Sequence, residues 1–212
     1  LTFEEGEVEW KKLGEVYQFS SGLSKSADQF GFGSPFLSYK AVFKNISIPS
    51  KLTELVNTSA AEQERYSIRK GDVFVTRTSE SLDELGMSCA ALEDYPMGTF
   101  NGFTKRLRPK ELSQINPKFS AFFFRSTLFR KQIARIAVLS TRISLNDSIL
   151  ASIKMPLPDL EEQARIVAIL DKFDTLTTSI SEGLPREIAL RQKQYEYYRD
   201  LLLSFPKPKE QQ

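Results

Sequence analysis

The chain has 212 residues and a formal net charge of +2, from 29 lysines and arginines against 27 aspartates and glutamates. It has no histidine and one cysteine, Cys89. That removes the commonest general base and metal ligand near neutral pH, any cysteine–histidine catalytic pair and any intrachain disulfide. The length suits one sizeable domain plus an extension, with no apolar run of membrane-spanning length and no signal-peptide pattern at the start; a lone cysteine fits a reducing, cytoplasmic setting.

Charge is unevenly spread. Residues 99–142 carry ten basic side chains (Lys105, Arg106, Arg108, Lys110, Lys118, Arg125, Arg130, Lys131, Arg135 and Arg142) against one acid, Glu111, whereas residues 79–94 carry five acids and no base. A concentrated basic segment is the footprint expected of a phosphate-backbone binder. The alternative is a solvated face balanced in space by the acidic stretch, with Arg108 and Arg125 supporting the fold.

In chain order, residues 1–9 are acidic and peripheral, and Trp10 reads as a core anchor. A short strand is expected over 16–19. Residues 20–26 form a polar loop that lacks the Gly-x-x-x-x-Gly-Lys spacing of a phosphate-gripping loop. Gly31-Phe32-Gly33-Ser34-Pro35 predicts a turn into a strand over 35–43, and residues 50–62 suggest a short helix. Gly71-Asp72 supplies turn chemistry before the apolar run Val73-Phe74-Val75, a buried strand ending in Thr76-Arg77-Thr78-Ser79. Further strands are expected over 88–92 and 99–107. The periodicity predicts one helix over 117–137, with Phe119, Phe122, Phe123, Phe129, Ile133 and Ile136 on its apolar face. Residues 139–144 read as a polar turn or short strand, and a short segment after Asn146-Asp147 ends at Ile153. The fold class is therefore mixed α/β.

Little catalysis can be built from these residues. There is no Pro-Asp followed by Glu-x-Lys of a metal-dependent nuclease, no Asn-Pro-Pro-Tyr or Asp-Pro-Pro-Tyr run, and Gly31-x-Gly33 stands alone. No cofactor or metal ligand set is expected. Binding chemistry is better represented: base edges are read by arginine, lysine, asparagine and glutamine, with serine, threonine and basic contacts to phosphate. Lys25, Ser26, Arg77, Thr78, Ser79, Asn101, Lys105, Lys131, Thr141 and Arg142 are the candidates. Arg77 and Arg142, each set among threonine and serine, are the two expected at base edges.

The last quarter is helical. Ile166, Ile169, Phe173, Leu176 and Ile180 alternate in steps of three and four, the spacing of a coiled-coil seam. After Gly183-Leu184-Pro185 breaks the helix, the pattern resumes with Ile188, Tyr195, Tyr198, Leu202 and Phe205. Asp159 is placed to cap the first helix, with Glu161 and Glu162 in its first turn. At 1.5 Å per residue the first segment spans roughly 35 Å. Periodicity alone leaves open two ordinary packed helices or an arm that pairs with a second of its kind.

Residues also carry a resemblance here. Pro-Leu-Pro-x-Leu-Glu-Glu-Gln (156–163), Ile-Val-x-Ile-Leu-Asp-Lys-Phe (166–173), Gly-Leu-Pro-x-Glu-Ile (183–188) and Arg-Gln-Lys-Gln-Tyr-Glu-Tyr-Tyr-Arg (191–199) resemble the conserved helical spacer of type I restriction-modification specificity subunits. Val8-Glu9-Trp10-Lys11-Lys12-Leu13-Gly14-Glu15-Val16 resembles the opening of their recognition domains. The resemblance implies a target recognition domain over 1–158 that reads double-stranded DNA, a spacer over 159–205, and a tail over 206–212. It implies a non-catalytic subunit with one recognition domain where a full-length one has two. Modification subunits holding AdoMet would methylate adenine, and restriction subunits would join them. A full-length subunit pairs its two spacers antiparallel. The ten seam residues from Ile166 to Phe205 are too many to hide against one domain, so a homodimer in which two copies pair in the same way is expected. The competing reading is a helical interaction adaptor with no DNA role.

Overall fold

The computed structural model describes residues 8–79, 84–137, 143–179 and 185–205. The chain opens with β1 (Glu9–Lys12), one helical turn, α1 (Leu13–Val16), and β2 (Tyr17–Ser21). Next come β3 (Phe30–Leu37), α2 (Tyr39–Lys44), β4 (Glu54–Val56) and α3 (Ala60–Arg65). Serines open both helices: Ser38 Oγ accepts from Ala41 N–H, and Ser59 Oγ accepts from Glu62 N–H while the Glu62 carboxylate accepts from Ser59 N–H. The second is a reciprocal capping box.

Two expectations are corrected in this stretch. The strand expected over 35–43 begins earlier and stops at Leu37, because the Ser38 cap starts a helix. Gly31 and Gly33, both with φ of +96°, make their irregularity inside the strand, where the register to β4 shifts between Phe30 and Ser34. The helix expected over 50–62 is instead a strand followed by a helix, with the start fixed by Ser59.

The centre of the domain is a four-stranded antiparallel sheet in the order β2–β9–β5–β7, from β5 (Val73–Thr76), β7 (Ser88–Ala90) and β9 (Thr104–Pro109) with β2. Between β5 and β7 lies the two-residue β6 (Thr78–Ser79), and before β9 lies β8 (Thr99–Phe100). β8 pairs parallel with β3, which pairs antiparallel with β4. The strand expected over 99–107 is thus two strands, separated by a tight turn at Asn101. The Val73-Phe74-Val75 run is apolar at every position because both faces of β5 are covered. Val73 and Val75 join Leu107, Phe123, Phe124 and Phe129, whereas Phe74 joins Leu37, Val42, Cys89 and Phe100 on the other side.

The helix expected over 117–137 is broken into α4 (Pro117–Phe124) and α5 (Thr127–Ala137). Arg125 ends α4 by turning its guanidinium onto backbone carbonyls: Nη2 donates to Val42, Phe43, Asn45 and Ser88 oxygens at 2.6–3.2 Å, and Nε to Ser88 O. The new helix takes its cap from far away, since Asp200 Oδ1 accepts from Thr127 N–H at 3.0 Å. β10 (Ile143–Ser144), α6 (Asp147–Ser152, capped by Asn146) and β11 (Lys154–Leu157) follow. β11 runs antiparallel to β1, Trp10 opposite Pro156, and so ties the two ends of the domain together.

The last elements are α7 (Leu160–Ser179) and α8 (Pro185–Leu202). Asp159 caps α7 as expected, its Oδ1 accepting from Glu162 N–H at 2.8 Å. α8 runs back beside α7, with Phe173 stacked on Tyr198 at 5.2 Å between ring centroids. Ile166, Leu170, Tyr195, Leu202 and Phe205 are buried together with Phe119 and Phe122 of α4, and Ile169 and Phe173 are partly buried against them. This part of the apolar seam is therefore filled within the chain, because the two phenylalanines of α4 complete it. Leu176 and Ile188 fall within α7 and α8; Ile180 lies outside the described residues.

Candidate nucleic-acid interface

β2 ends, β9 begins and β5 ends at one end of the central sheet: Ser21 faces Lys105 across one ladder and Thr76 faces Thr104 across the next. The antiparallel topology alone therefore delivers three segments distant in sequence, residues 22–26, 101–103 and 77–79, to one surface. Backbone hydrogen bonds lace them together. Leu23 N–H donates to Phe100 O, Gly102 N–H to Leu23 O, and Arg77 N–H to Phe103 O, at 2.8–3.0 Å. Gly22 is required by this closeness, since a Cβ there would stand 2.2 Å from Asn101 O. β6 then pairs antiparallel with β10, Thr78 opposite Ser144 and Ser79 opposite Ile143, and Leu145 N–H donates to Arg77 O. The pairing brings 77–79 beside the strand that directly follows Thr141 and Arg142, themselves outside the described residues.

At this sheet end Arg77 is half-buried, and its Nε is a buried donor with no hydrogen-bond partner. A buried donor of that kind is costly unless a ligand completes it. Asn101 Oδ1 accepts from Phe103 N–H at 2.7 Å, which ties the amide oxygen to the backbone of its own turn. Thr78 and Ser79 are half-buried, and Ser79 Oγ donates to Glu84 at 3.1 Å. Glu84 also faces Tyr39, whose hydroxyl is pushed above its ordinary pKa by burial first and that carboxylate second. Ser26 is exposed just before a 3-10 turn at Ala27–Gln29. Lys25 adjoins it but is held by Glu62 at 2.6 Å.

Two lysines do not sit as the sequence suggests. Lys105 is 6% exposed, bonded to Ser21 Oγ at 2.7 Å and paired with Asp147 at 2.5 Å. Its charge joins β9, an inner strand of the sheet, to the start of α6. Lys131 is exposed on α5 and lines a different surface, a cavity of about 590 Å³ with Trp10, Leu128, Arg135, Lys154 and Phe205. Neither lies free among the converging loops.

The basic run over 99–142 is largely consumed by the fold. Arg108 grips Asp72 with two hydrogen bonds of 2.7–2.8 Å. Arg106 is buried over the Phe100 ring and donates to Ser67 O; burial, and then the Arg108 charge, pull its pKa down to about 10. Lys110 donates to Gly14 O, Lys118 pairs with Asp171, and Arg130 donates to Leu85 O. The count of cations along the chain overstated the charge available to a phosphate backbone, since most of these side chains end at carbonyls or carboxylates.

One contributor escaped sequence reasoning altogether. Gln163, the glutamine of the Leu-Glu-Glu-Gln motif, is fully buried: Nε2 donates to Gln114 O and Pro158 O, and Oε1 accepts from Asn116 N–H. It fixes the first turn of α7 to the start of α4, and so seats the helical pair on the domain that carries the sheet end. A buried polar residue inside an apolar pattern was the available signal. Among the described residues no cluster of acidic or cysteine side chains could hold a metal ion, and no helix is long and apolar enough to cross a membrane.

Comparison with known proteins agrees with this architecture. Residues 5–190 match the family model described as the type I restriction modification DNA specificity domain. The chain is 39% identical over 212 residues to the EcoR124I/EcoR124II type I restriction enzyme specificity subunit of Escherichia coli, covering 98% of this chain and 51% of that protein. It is 62% identical over 60 residues to a putative type I specificity subunit of Haemophilus influenzae, covering 28% of this chain and 15% of that one. It thus spans at most about half the length of these curated relatives. Among solved structures, the HsdS subunit from Thermoanaerobacter tengcongensis superposes with a TM-score of 0.58 at 20% identity, over 95% of this chain and 46% of that chain. A chain from a structure of type I R-M complex assembly and conformational transition gives 0.59 at 20% identity, over 95% and 47%. Those two likenesses speak to the fold, and the family model and the Escherichia coli relative to descent: the chain belongs to the type I restriction modification DNA specificity domain family.

Proposed function

We propose that the chain is a DNA-specificity element that reads one half of a bipartite duplex target with the loops at the end of the β2–β9–β5 sheet. The observation that carries this is the convergence of residues 22–26, 77–79 and 101–103, with β10 alongside, on one surface that includes an unsatisfied arginine donor. On this reading hydroxyls and cations at the rim position the duplex by its phosphates, and Arg77, Arg142 and Asn101 address base edges.

Residues 1–158 form the recognition domain in this scheme, 159–205 the spacer and 206–212 a tail. The chain performs no chemistry. Modification subunits that dock against the helical pair supply adenine methylation with AdoMet held in their own sites, restriction subunits join through them, and the assembly works in the cytoplasm. Two copies pair through the outer face of α8, where Leu190 and Tyr197 are 59% and 64% exposed seven residues apart. That same exposed face favours the second reading, a helical adaptor without DNA specificity. Titrating duplex binding against salt separates the two. A DNA reader loses affinity with a log–log slope of about −0.9 for each phosphate neutralised, and an adaptor binds no duplex at any salt.

A further inference from the structure

The turn between β8 and β9 presents an aromatic ring where the fold has no use for one. Phe103 is 62% exposed at its tip. Both of its backbone polar groups are committed, N–H to Asn101 Oδ1 at 2.7 Å and C=O to Arg77 N–H at 3.0 Å. Thr104 closes the turn with two further bonds to Asn101 O, and Gly102 donates to Leu23 O. On its other side the turn lies against the 23–24 backbone, since a Cβ on Gly102 would stand 3.0 Å from Leu23 O. The ring therefore has no route into the core by pivoting its backbone, and it forgoes the burial free energy that a phenylalanine ordinarily gains. The groups tied to its turn, Arg77, Asn101 and Ser24, are polar.

A rigidly held, exposed aromatic among hydrogen-bonding groups matches a ligand with apolar surface set between polar edges. A nucleic-acid base has that chemistry: apolar side chains contact the thymine methyl in the major groove, or wedge against a base face at an opened step. We propose that Phe103 is an apolar base-contacting residue of the recognition surface, packing on a base next to the one addressed by Arg77. The inference rests on the reading that this sheet end binds DNA, and adds to it a specificity residue that is neither charged nor polar.

The test begins with the duplex selected by the wild-type chain together with its modification subunit. Phe103→Ala should bind that duplex roughly tenfold more weakly, a loss of one contact of ordinary size. Its binding to random duplex should be unchanged, and its preference at one base position lost. Phe103→Leu should restore part of that preference. If the ring meets a methyl group, deoxyuridine in place of thymine at that position weakens the wild type and leaves Phe103→Ala unaffected. If it meets a base face, 2-aminopurine there brightens with the wild type and stays quenched with Phe103→Ala. Either pattern supports the inference. It is overturned if Phe103→Ala selects the same sequence as the wild type with the same stringency. It is overturned equally if the variant keeps its DNA preference but loses the modification subunit, which would put the ring in a protein contact. A wild-type chain that selects no sequence at all removes the DNA reading itself, a separate failure.

Discussion

Replacing Gln163 by leucine keeps the size of the side chain and deletes every hydrogen bond it makes. Three groups lose their partner: Asn116 N–H, Pro158 O and Gln114 O. Gln114 is exposed, so water can reach its carbonyl, but Pro158 is buried and Asn116 half-buried beneath the first turn of α7. An unsatisfied buried group costs about 1–3 kcal/mol, so two of them cost roughly 2–6 kcal/mol. For a chain of this length 1 kcal/mol lowers Tm by about 2–4 °C, and the loss should read as a fall of roughly 4–24 °C. Thermal unfolding followed by circular dichroism measures it. Hydrogen exchange at the amides of Ile166 and Leu170 should quicken in the same variant, because the hinge that seats α7 has been loosened. A Gln163→Leu protein that melts within 1–2 °C of the wild type would refute the claim that this glutamine fastens the helices to the domain.

Arg125→Met should be similarly costly, about 1–3 kcal/mol for each of the carbonyls of Ser88 and Asn45 left without its charged donor; a chemical-denaturation midpoint unchanged from wild type would refute it. Lys105→Glu should destabilise the fold, since it sets a carboxylate against Asp147 at a buried position, whereas Lys131→Glu should leave Tm within about 2 °C, as exposed substitutions generally do. Equal melting of the two variants contradicts that assignment. Burial pushes the Cys89 thiol up to about 12, so a thiol reagent at pH 8 should label it only as fast as the domain opens, and prompt labelling of the native protein would show otherwise. The pairing of two copies through α8 predicts a dimer by light scattering at tens of micromolar and a folded monomer for the double variant Leu190→Asp, Tyr197→Asp. A monomeric wild type ends that proposal.

What could be read in the sequence was whatever local chemistry alone decides. The Val73-Phe74-Val75 run, the Asp159 cap and the helices on either side of Pro185 are set by neighbouring residues, and all are where the pattern puts them. The break at Arg125 was hidden because residues 117–137 are helical in periodicity throughout; it comes from carbonyls offered by α2 and β7 and from a cap offered by Asp200. The same distance effect misled the reading of charge. Lys105 looks like a surface lysine beside Thr104, and only the ladder to Ser21 and the return of Asp147 reveal it as an internal tie. Thr76-Arg77-Thr78-Ser79 and Thr141-Arg142 stand out separately by their polar composition, but the pairing of Thr78 and Ser79 with Ser144 and Ile143 is a tertiary fact. Phe103 had no sequence signal at all, since an aromatic inside an expected strand reads as core.

Sheet-end recognition is tested most directly by selecting duplexes from a random pool, in the presence of the modification subunit, with the wild-type chain and with Arg77→Ala side by side. Wild type should enrich one defined sequence. Arg77→Ala should enrich the same sequence with a single position randomised, the loss of roughly 1–3 kcal/mol of discrimination that one bidentate arginine provides. Identical selected sequences from the two proteins, position for position and with equal stringency, would contradict it.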